Sequence, residues 1–533
     1  MAVAPSKKGR RAMARQKSED RKVVQAPRKL GVTREVGPRA GAKAIPVDEE
    51  PKQLDLFSGT AEVLARASSD GVAARPRGRA AAFAAPKPKN TTKLATVATI
   101  DEVAQRLGEA FRNVERNRGA PGPDGLPIEQ MREHLHEWLP MLRSSVLEGR
   151  YTPGDIRRVW IPKGNGSQRG LGIPNVIDRV VQEAVRLVLE PLYEPTFHRS
   201  SHGFRPGRSC HTAIAEAVGY VDEGYEWVVD LDLEKFFDRV NHQRLMSRLT
   251  EVITDKGVLV LISHMLKAKV VLPNGVVMDV EEGVPQGGPL SPLLSNVVLD
   301  ELDRELERRG HRFVRYADDC NVYVGSERAG HRVMASIKQF IERRLRLKVN
   351  EQKSAVARPE ERHFVGFSLR REPLGGSVEV LLSTRSKERV ARRVRELTPR
   401  AYGGSVNACI ATLNVYLLGW LGFFRICTGS SARTFHNLDA HIRRRLRAVQ
   451  LHDWKRKLTI VRRLIKLGIR RKTAWRNVYD GRKSTWALSH SPAINRALPN
   501  SHWDARGLVS IEARWRAMAE QVVVPLQPAL PQG

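Results

Sequence analysis

Apolar residues recur along this chain with two periods, and the change of period divides it. From Ile100, the residues Val103, Leu107, Ala110, Phe111 and Val114 return every three to four positions, which predicts an amphipathic helix with Asp101 placed to cap it. GAPGPDG (119–125) supplies turn residues to end it, and a second helix is predicted over 128–147 with a proline interruption at Pro140. RRVWIPKGNGSQRGLGIP (157–174) reads as a β-hairpin with a glycine-rich tip. A helix over 178–194 follows, apolar through Val181, Val185 and Leu189, and then the basic loop SSHGFRPGRS (200–209), after which Ser209 or Thr212 caps the next helix.

The period then shortens to two. In VVDLDLEKFFD (228–238), a strand feeding a helix, alternation places Val228, Asp230 and Asp232 on one face and Val229, Leu231 and Leu233 on the other. FVRYADDCNVYV (313–324) reads as two short strands, FVRY and CNVYV, around the pair Asp318-Asp319. Between them GVPQGGPLSPLLSNVVLDELDRELERR (283–309) predicts a turn and a helix. Ser291 is its expected N-cap, Pro292 its first helical residue, and Val297, Val298, Leu302 and Leu306 its apolar stripe, with Asp300–Arg304 and Glu305–Arg309 pairs on the exposed face. A helix near 328–346 and strand-like LKVNEQKS (347–354) and RHFVGFSL (362–369) complete this part.

From about 385 the character changes to helical segments. Segments 385–397 and 406–424 are expected helices, and HIRRRLRAVQ (441–450) and WKRKLTIVRRLIKLG (454–468) are basic amphipathic ones, the last with Leu458, Val461 and Ile465 on one face. Residues 484–516 are polar with Trp486, Trp503 and Trp515. Residues 1–95 are Ala-, Arg-, Lys-, Pro- and Gly-rich with little apolar periodicity, which predicts a disordered basic arm, and the Pro-rich tail from Val522 is expected to fray.

Charge narrows the class of partner. Lys and Arg number 90 against 58 Asp and Glu, a formal net charge of +32, so a polyanion is the expected partner. A spanning helix is not expected, because the most apolar run, VYLLGWLGFF (415–424), falls short of the roughly 20 residues that crossing requires. Cys210, Cys320, Cys409 and Cys427 are scattered without CxxC spacing, which argues against a zinc knuckle or a disulfide scaffold.

Chemistry enters with the carboxylates. Adjacent carboxylates in a tight turn resist joint ionisation unless a cation joins them, although Asp is also an ordinary turn residue. Asp230 and Asp232 on an apolar strand call either for a cation or for a buried arginine partner. Nucleotidyl transfer uses two divalent cations, and Mg²⁺ prefers carboxylate oxygens. Asp232 with Asp318 and Asp319 fits that demand, and Lys163 and Arg169 beside the hairpin tip can neutralise a triphosphate.

The ordered series of segments resembles the reverse transcriptases encoded by bacterial group II introns (intron-encoded maturases), over about 100 to 516. GAPGPDG resembles the family's N-terminal extension and VWIPKGNGSQRGLGIP its fingers hairpin; SSHGFRPGRS, VVDLDLEKFFD, GVPQGGPLSPLLSN and YADD resemble successive palm motifs, with LKVNEQKS and HFVGFSL following in order. The resemblance implies an α+β right-hand polymerase fold: fingers with N-terminal extension at 96–225, an antiparallel palm sheet plus helices at 226–375, an α-helical thumb/maturase domain X at 376–480, and a DNA-binding region at 481–520. It implies two Mg²⁺ ions on Asp232, Asp318 and Asp319, Phe237 as the ring that excludes a ribose 2′-OH, and Gln286 touching nucleotide or template. Lys163 and Arg169 would touch the triphosphate, Lys353 would protonate leaving pyrophosphate, and Gly366 would lie in the primer grip. Arg205, Arg208, Arg443, Arg444, Arg447, Lys455 and Arg456 would contact nucleic acid. The implied partners are intron RNA, a DNA target with its primer, and dNTPs, with no membrane; the implied location is the cytoplasm, at the nucleoid when on DNA.

One departure accompanies the resemblance. Members with an HNH endonuclease carry further cysteine pairs after this point, so this chain is expected to need another source of primer, such as a nascent strand. Two other functions remain open: a non-catalytic RNA-binding splicing cofactor, and a domesticated enzyme of phage defence or spacer acquisition.

Overall fold

A computed structural model describes residues 98–162, 168–372, 376–481 and 484–523. The expected arm at 1–95, Lys163 and the tail at 524–533 lie outside the described residues. Within them the strands run, in chain order, β1 (Ile156–Pro162), β2 (Gln168–Ile173), β3 (Trp227–Leu231), β4 (Val270–Val271), β5 (Val277–Met278), β6 (Arg312–Tyr316), β7 (Asp319–Val324), β8 (Ala355–Ala357), β9 (Phe367–Arg371) and β10 (Val378–Leu382).

The strands with the strongest alternation pair with one another. They form a four-stranded sheet in the order β6-β7-β3-β8, antiparallel throughout. A second sheet, β2-β1-β4-β5, is built on the antiparallel β1–β2 hairpin, and β9 and β10 form a third, two-stranded one.

Period two divides the central sheet between two cores. Val229, Leu231, Phe313, Cys320, Val322 and Val324 face the core made by the preceding helices, with Leu107, Val181 and Leu299. Val228, Val314 and Tyr323 face the core of the following helices, with Leu413, Leu417 and Leu446. Asp230, Asp232 and Asp319 share the parity of Val228 and Tyr323, so alternation carries them onto the second face, at the end of the sheet. The expected α+β character with an antiparallel central sheet is present.

Several local expectations are corrected. Thr99, not Asp101, caps the first helix, its Oγ1 accepting from the Glu102 N–H at 3.2 Å. The helix expected over 128–147 is two, Ile128–Glu133 and Leu135–Leu147, meeting at His134. Ser209 and Thr212 do form a reciprocal capping box. Ser291 is the first helical residue and not the cap: its hydroxyl donates to the Pro285 carbonyl at 2.6 Å. Asp300 keeps its Arg304 partner, at 2.6 Å, but is buried rather than on the exposed face. LKVNEQKS makes a single bridge, Val349 with Leu233, and then turns. In Lys457–Lys466 the inward residues are Ile460, Val461 and Leu464, while Leu458 and Ile465 are exposed; packing selected a stripe different from the expected one.

Two further corrections concern the helical part. Val406–Phe424 has 19 residues and is long and apolar enough to cross a membrane, because the helix begins nine residues before the run identified in the sequence. Its Cys409, Ile410, Leu413, Leu417 and Leu421 are buried in the second core, a position that itself explains an apolar composition. Residues 484–516 contribute to the same core. Trp503 is fully buried, and buried Trp515 donates its Nε1–H to the Cys427 carbonyl at 3.1 Å. Two of the three tryptophans that mark this region are therefore packing residues.

Candidate active site

The β3–β7 register builds the site. Asp230 pairs with Asn321 and Leu231 with Cys320, so Asp232, one residue on, stands across from Asp319. Tyr316 pairs with Asp319, which leaves Ala317-Asp318 as a two-residue hairpin turn, with Ala317 at φ +58°. All three candidate carboxylates thus gather at one end of the sheet.

That turn is clamped from below. A Cβ on Gly203 would lie 2.2 Å from the Ala317 nitrogen, so only glycine lets the 200–203 loop approach so closely. Arg315 is fully buried and binds Asp303 through Nε at 2.7 Å and Nη2 at 2.5 Å. Its Nη1 donates to Asn296 Oδ1 and to the Ala317 carbonyl, and Nη2 donates to Ser201 Oγ. Burial opposes this charge, but Asp303 holds it. Arg315 was not singled out in the sequence, although an arginine in the apolar FVRY strand is itself a signal that a buried carboxylate must answer it.

The β3 carboxylates divide by partner. Asp230 is ion-paired with Arg362, Nη2 to Oδ2 at 2.5 Å and Nε to Oδ2 at 2.8 Å, which is the arginine partner considered for a strand carboxylate. Asp232 has a looser cation, Lys353 Nζ at 3.4 Å from Oδ2. Arg362 Nη2 also donates to the Lys353 carbonyl at 2.6 Å, so one guanidinium ties the Asp230 strand to the backbone that carries Lys353. The Asp232 backbone is held on both sides, its N–H donating to Ser354 Oγ and its carbonyl accepting from the Asn350 N–H.

A second cluster reaches the carboxylates through Arg169, whose charge acts on Asp318. Phe237 follows Lys235, which is left-handed at φ +50°, and the Phe237 carbonyl accepts from the Val284 N–H at 2.6 Å. The same turn carries Gln286, whose Oε1 accepts from Arg169 Nε at 2.7 Å and whose carbonyl accepts from the Gly172 N–H at 2.7 Å. Gly287 is at φ +126°, and a Cβ there would lie 2.5 Å from the Gly172 carbonyl, so this contact requires glycine. Phe237, Gln286 and Arg169 come from three distant stretches and are joined by one turn.

Electrostatics at the carboxylates fit a cation. Asp319 is exposed to solvent, yet the protein around it and the charges of Asp318, Asp230 and Asp232 push its carboxyl up to about 7. Asp318 is likewise raised, by burial first and by Asp232, with Arg169 pulling the other way. Among the described residues no three His, Cys, Asp or Glu side chains form a closed metal-ligand set. Open carboxylate pairs suit Mg²⁺, which completes its shell with water and substrate phosphate.

The nucleic-acid candidates separate into exposed and committed groups. Arg205 is buried: its Nε and Nη2 bind Glu194, and Nη1 donates to the carbonyls of His198 and Ser201. It braces the loop and offers no free donor face to a phosphate, a correction to its expected role. Arg208 is half-buried, with Nη1 on the Arg199 carbonyl. Arg447 is buried with Nε on the Leu498 carbonyl, and Arg444 lies 4.1 Å over the Trp486 ring, so both are engaged in internal packing. Arg443 is half-buried, whereas Lys455 and Arg456 are exposed. Gly366 sits against Phe423 and Phe424, and its carbonyl accepts from Ser386 Oγ at 2.7 Å.

Comparison with known proteins bears on this geometry. Residues 161–369 match the family described as reverse transcriptase (RNA-dependent DNA polymerase), and residues 387–467 match the group II intron, maturase-specific domain. The chain is 41% identical to Protein YkfC of Escherichia coli K12, over 38% of this chain and 55% of that one. It is 30% identical to the group II intron-encoded protein LtrA of Lactococcus lactis subsp. cremoris, over 54% of this chain and 63% of that one. The matches therefore span 55–63% of the length of these relatives.

Proposed function

Because this chain belongs to the group II intron-encoded reverse transcriptases/maturases, we propose that it is an RNA-directed DNA polymerase that also binds intron RNA to assist splicing and retrohoming. In this reading β6-β7-β3-β8 is the palm of a right-hand polymerase, the β1–β2 hairpin belongs to the fingers, and the helices beyond 376 are the thumb/maturase domain X. The observation that carries it is the register that sets Asp232 across from Asp319, together with the cluster of Phe237, Gln286 and Arg169.

Asp232, Asp318 and Asp319 would hold two Mg²⁺ ions. When bound, these supply positive charge where the primer 3′-oxygen attacks and where pyrophosphate leaves. The protein's own groups do the rest. Phe237 fills the space a ribose 2′-OH would need, Gln286 positions nucleotide or template, and Arg169 with Lys163 neutralises the triphosphate. Lys353, held at the cleft by Asp232, gives its proton to the leaving group. The Gly366 turn steadies the primer end. Arg443, Lys455 and Arg456 meet RNA phosphates, with steep salt dependence. Such an enzyme would work in the cytoplasm on intron RNA, a primed DNA target and dNTPs.

The test separates chemistry from binding. Asp318→Ala with Asp319→Ala is expected to abolish cDNA synthesis while binding of intron RNA, read by filter retention, stays at the parental level. Unchanged cDNA synthesis contradicts the site; loss of RNA binding in a folded variant contradicts the division of labour.

A further inference from the structure

Beyond the maturase-specific match, the chain carries an aromatic pair that nothing above uses. Helices Lys457–Lys466 and Arg471–Tyr479 pack as a hairpin through Ile460, Val461, Leu464, Ala474 and Val478, turning at Gly468. Trp475 and Tyr479 are neighbours of Ala474 and Val478 on the helix but face outward, 37% and 45% exposed. Their rings are stacked, centroids 4.9 Å apart and planes 21° from parallel. Lys457 Nζ lies 5.3 Å over the Tyr479 ring. The setting is cationic: residues 455–483 hold twelve Lys and Arg and one carboxylate, Asp480, so local ion pairing cannot neutralise it.

We propose that the Trp475–Tyr479 stack is a platform for an unpaired base of a structured RNA, a loop or bulge nucleotide, whose flanking phosphates are taken by the surrounding cations. The inference rests on the RNA-binding reading above and adds to it a chemical preference. Cations alone bind phosphate without regard to pairing. An exposed aromatic face adds stacking, which only a base outside a helix can accept, because A-form pairs hide their faces. The simpler account, that an i,i+4 aromatic pair steadies its own helix, explains the stack but not its place at the centre of an unneutralised surface. An anionic membrane would also attract these charges. It calls for a broad apolar face, whereas Ile460, Val461 and Leu464 are turned inward here and the exposed Leu458, Ile465 and Leu467 are interrupted by Arg462, Arg463 and Lys466.

The experiment uses the full chain and two fluorescent RNAs of equal length, a hairpin with an unpaired loop and a blunt duplex. The variant is Trp475→Leu with Tyr479→Leu, which keeps helix propensity and apolar area but removes both aromatic faces. Loop affinity is expected to fall about five- to 150-fold per stacked base, with duplex affinity and the salt slope of both unchanged. Arg471→Ala with Arg476→Ala should instead weaken both RNAs and flatten both slopes. Equal loss on loop and duplex, or no loss on either, overturns the platform. So does a variant that releases anionic phosphatidylserine vesicles while keeping the loop RNA. A parent that binds neither RNA overturns the underlying reading together with the platform. A parent that binds loop RNA but makes no DNA overturns the polymerase reading alone.

Discussion

Arg169 donates from Nε to Oε1 of Gln286 at 2.7 Å, so the β1–β2 hairpin and the 283–287 turn close on each other in front of the carboxylates. The Gly172 N–H, bonded to the Gln286 carbonyl, makes this a two-point join. Gln286→Ala frees Arg169 and removes one wall of the proposed nucleotide pocket. KM for dNTP should rise about tenfold, as loss of a charge-assisted hydrogen bond implies, with primer–template affinity unchanged in the same preparation. Because the two side chains share one bond, Arg169→Ala combined with Gln286→Ala should be less than additive in steady-state kinetics.

Phe237 is held by the Val284 N–H on its carbonyl and by the neighbouring Phe236 ring, centroids 5.2 Å apart. With its backbone pinned, Phe237→Ala should open space and leave the turn in place. The ratio of rNTP to dNTP incorporation should then rise on an RNA template, and an unchanged ratio would remove Phe237 from its assigned role.

Arg315 and Asp303 are both fully buried and form one ion pair. Arg315→Met leaves Asp303 without its cation and the Ala317 carbonyl without its donor. The expected cost is about 3–5 kcal/mol, read as a lowered midpoint in urea. Arg315→Met with Asp303→Leu should recover much of it, since no buried charge is then left alone.

Glu216 gives a pH-dependent stability. It accepts from Ser200 Oγ and Tyr220 OH and contacts His202 Nε2 at 2.7 Å, bracing the 200–203 loop that packs against the Ala317-Asp318 turn. Burial alone would raise its carboxyl, but the His202, Ser200 and Tyr220 bonds hold it below the ordinary 4.5. A depressed carboxylate stabilises the fold above its unfolded value, and that contribution is lost as pH falls through the folded value. Glu216→Gln should therefore cost about 1–3 kcal/mol at neutral pH, and the gap from the parent should close under acid, as followed by urea melts across the acid range.

What the sequence made legible follows from local rules. Alternation put Asp230 and Asp232 on one face and two short strands around Asp318-Asp319, while the register that sets Asp232 across from Asp319 comes from the pairing of β3 with β7. What it hid depended on partners distant in the chain or in space. Arg205 in a basic loop reads as a phosphate contact until Glu194, eleven residues earlier, is seen to hold it. Trp503 and Trp515 stand in a polar stretch, and their burial shows only in the fold, where Trp515 donates to the Cys427 carbonyl 88 positions earlier. In Lys457–Lys466 two apolar stripes compete, and only packing decides that Ile460 and Leu464 face inward and Leu458 and Ile465 outward. The join of Arg169 to Gln286 spans 117 positions and leaves no local trace.

The most direct test is primer extension by the purified full chain on an RNA template with Mg²⁺ and dNTPs, beside the Asp318→Ala, Asp319→Ala variant and a separate Asp232→Asn. The account predicts extension by the parent and none by either variant, all three folded by circular dichroism. Extension by the variants at the parental rate, or none by a folded parent, would contradict it.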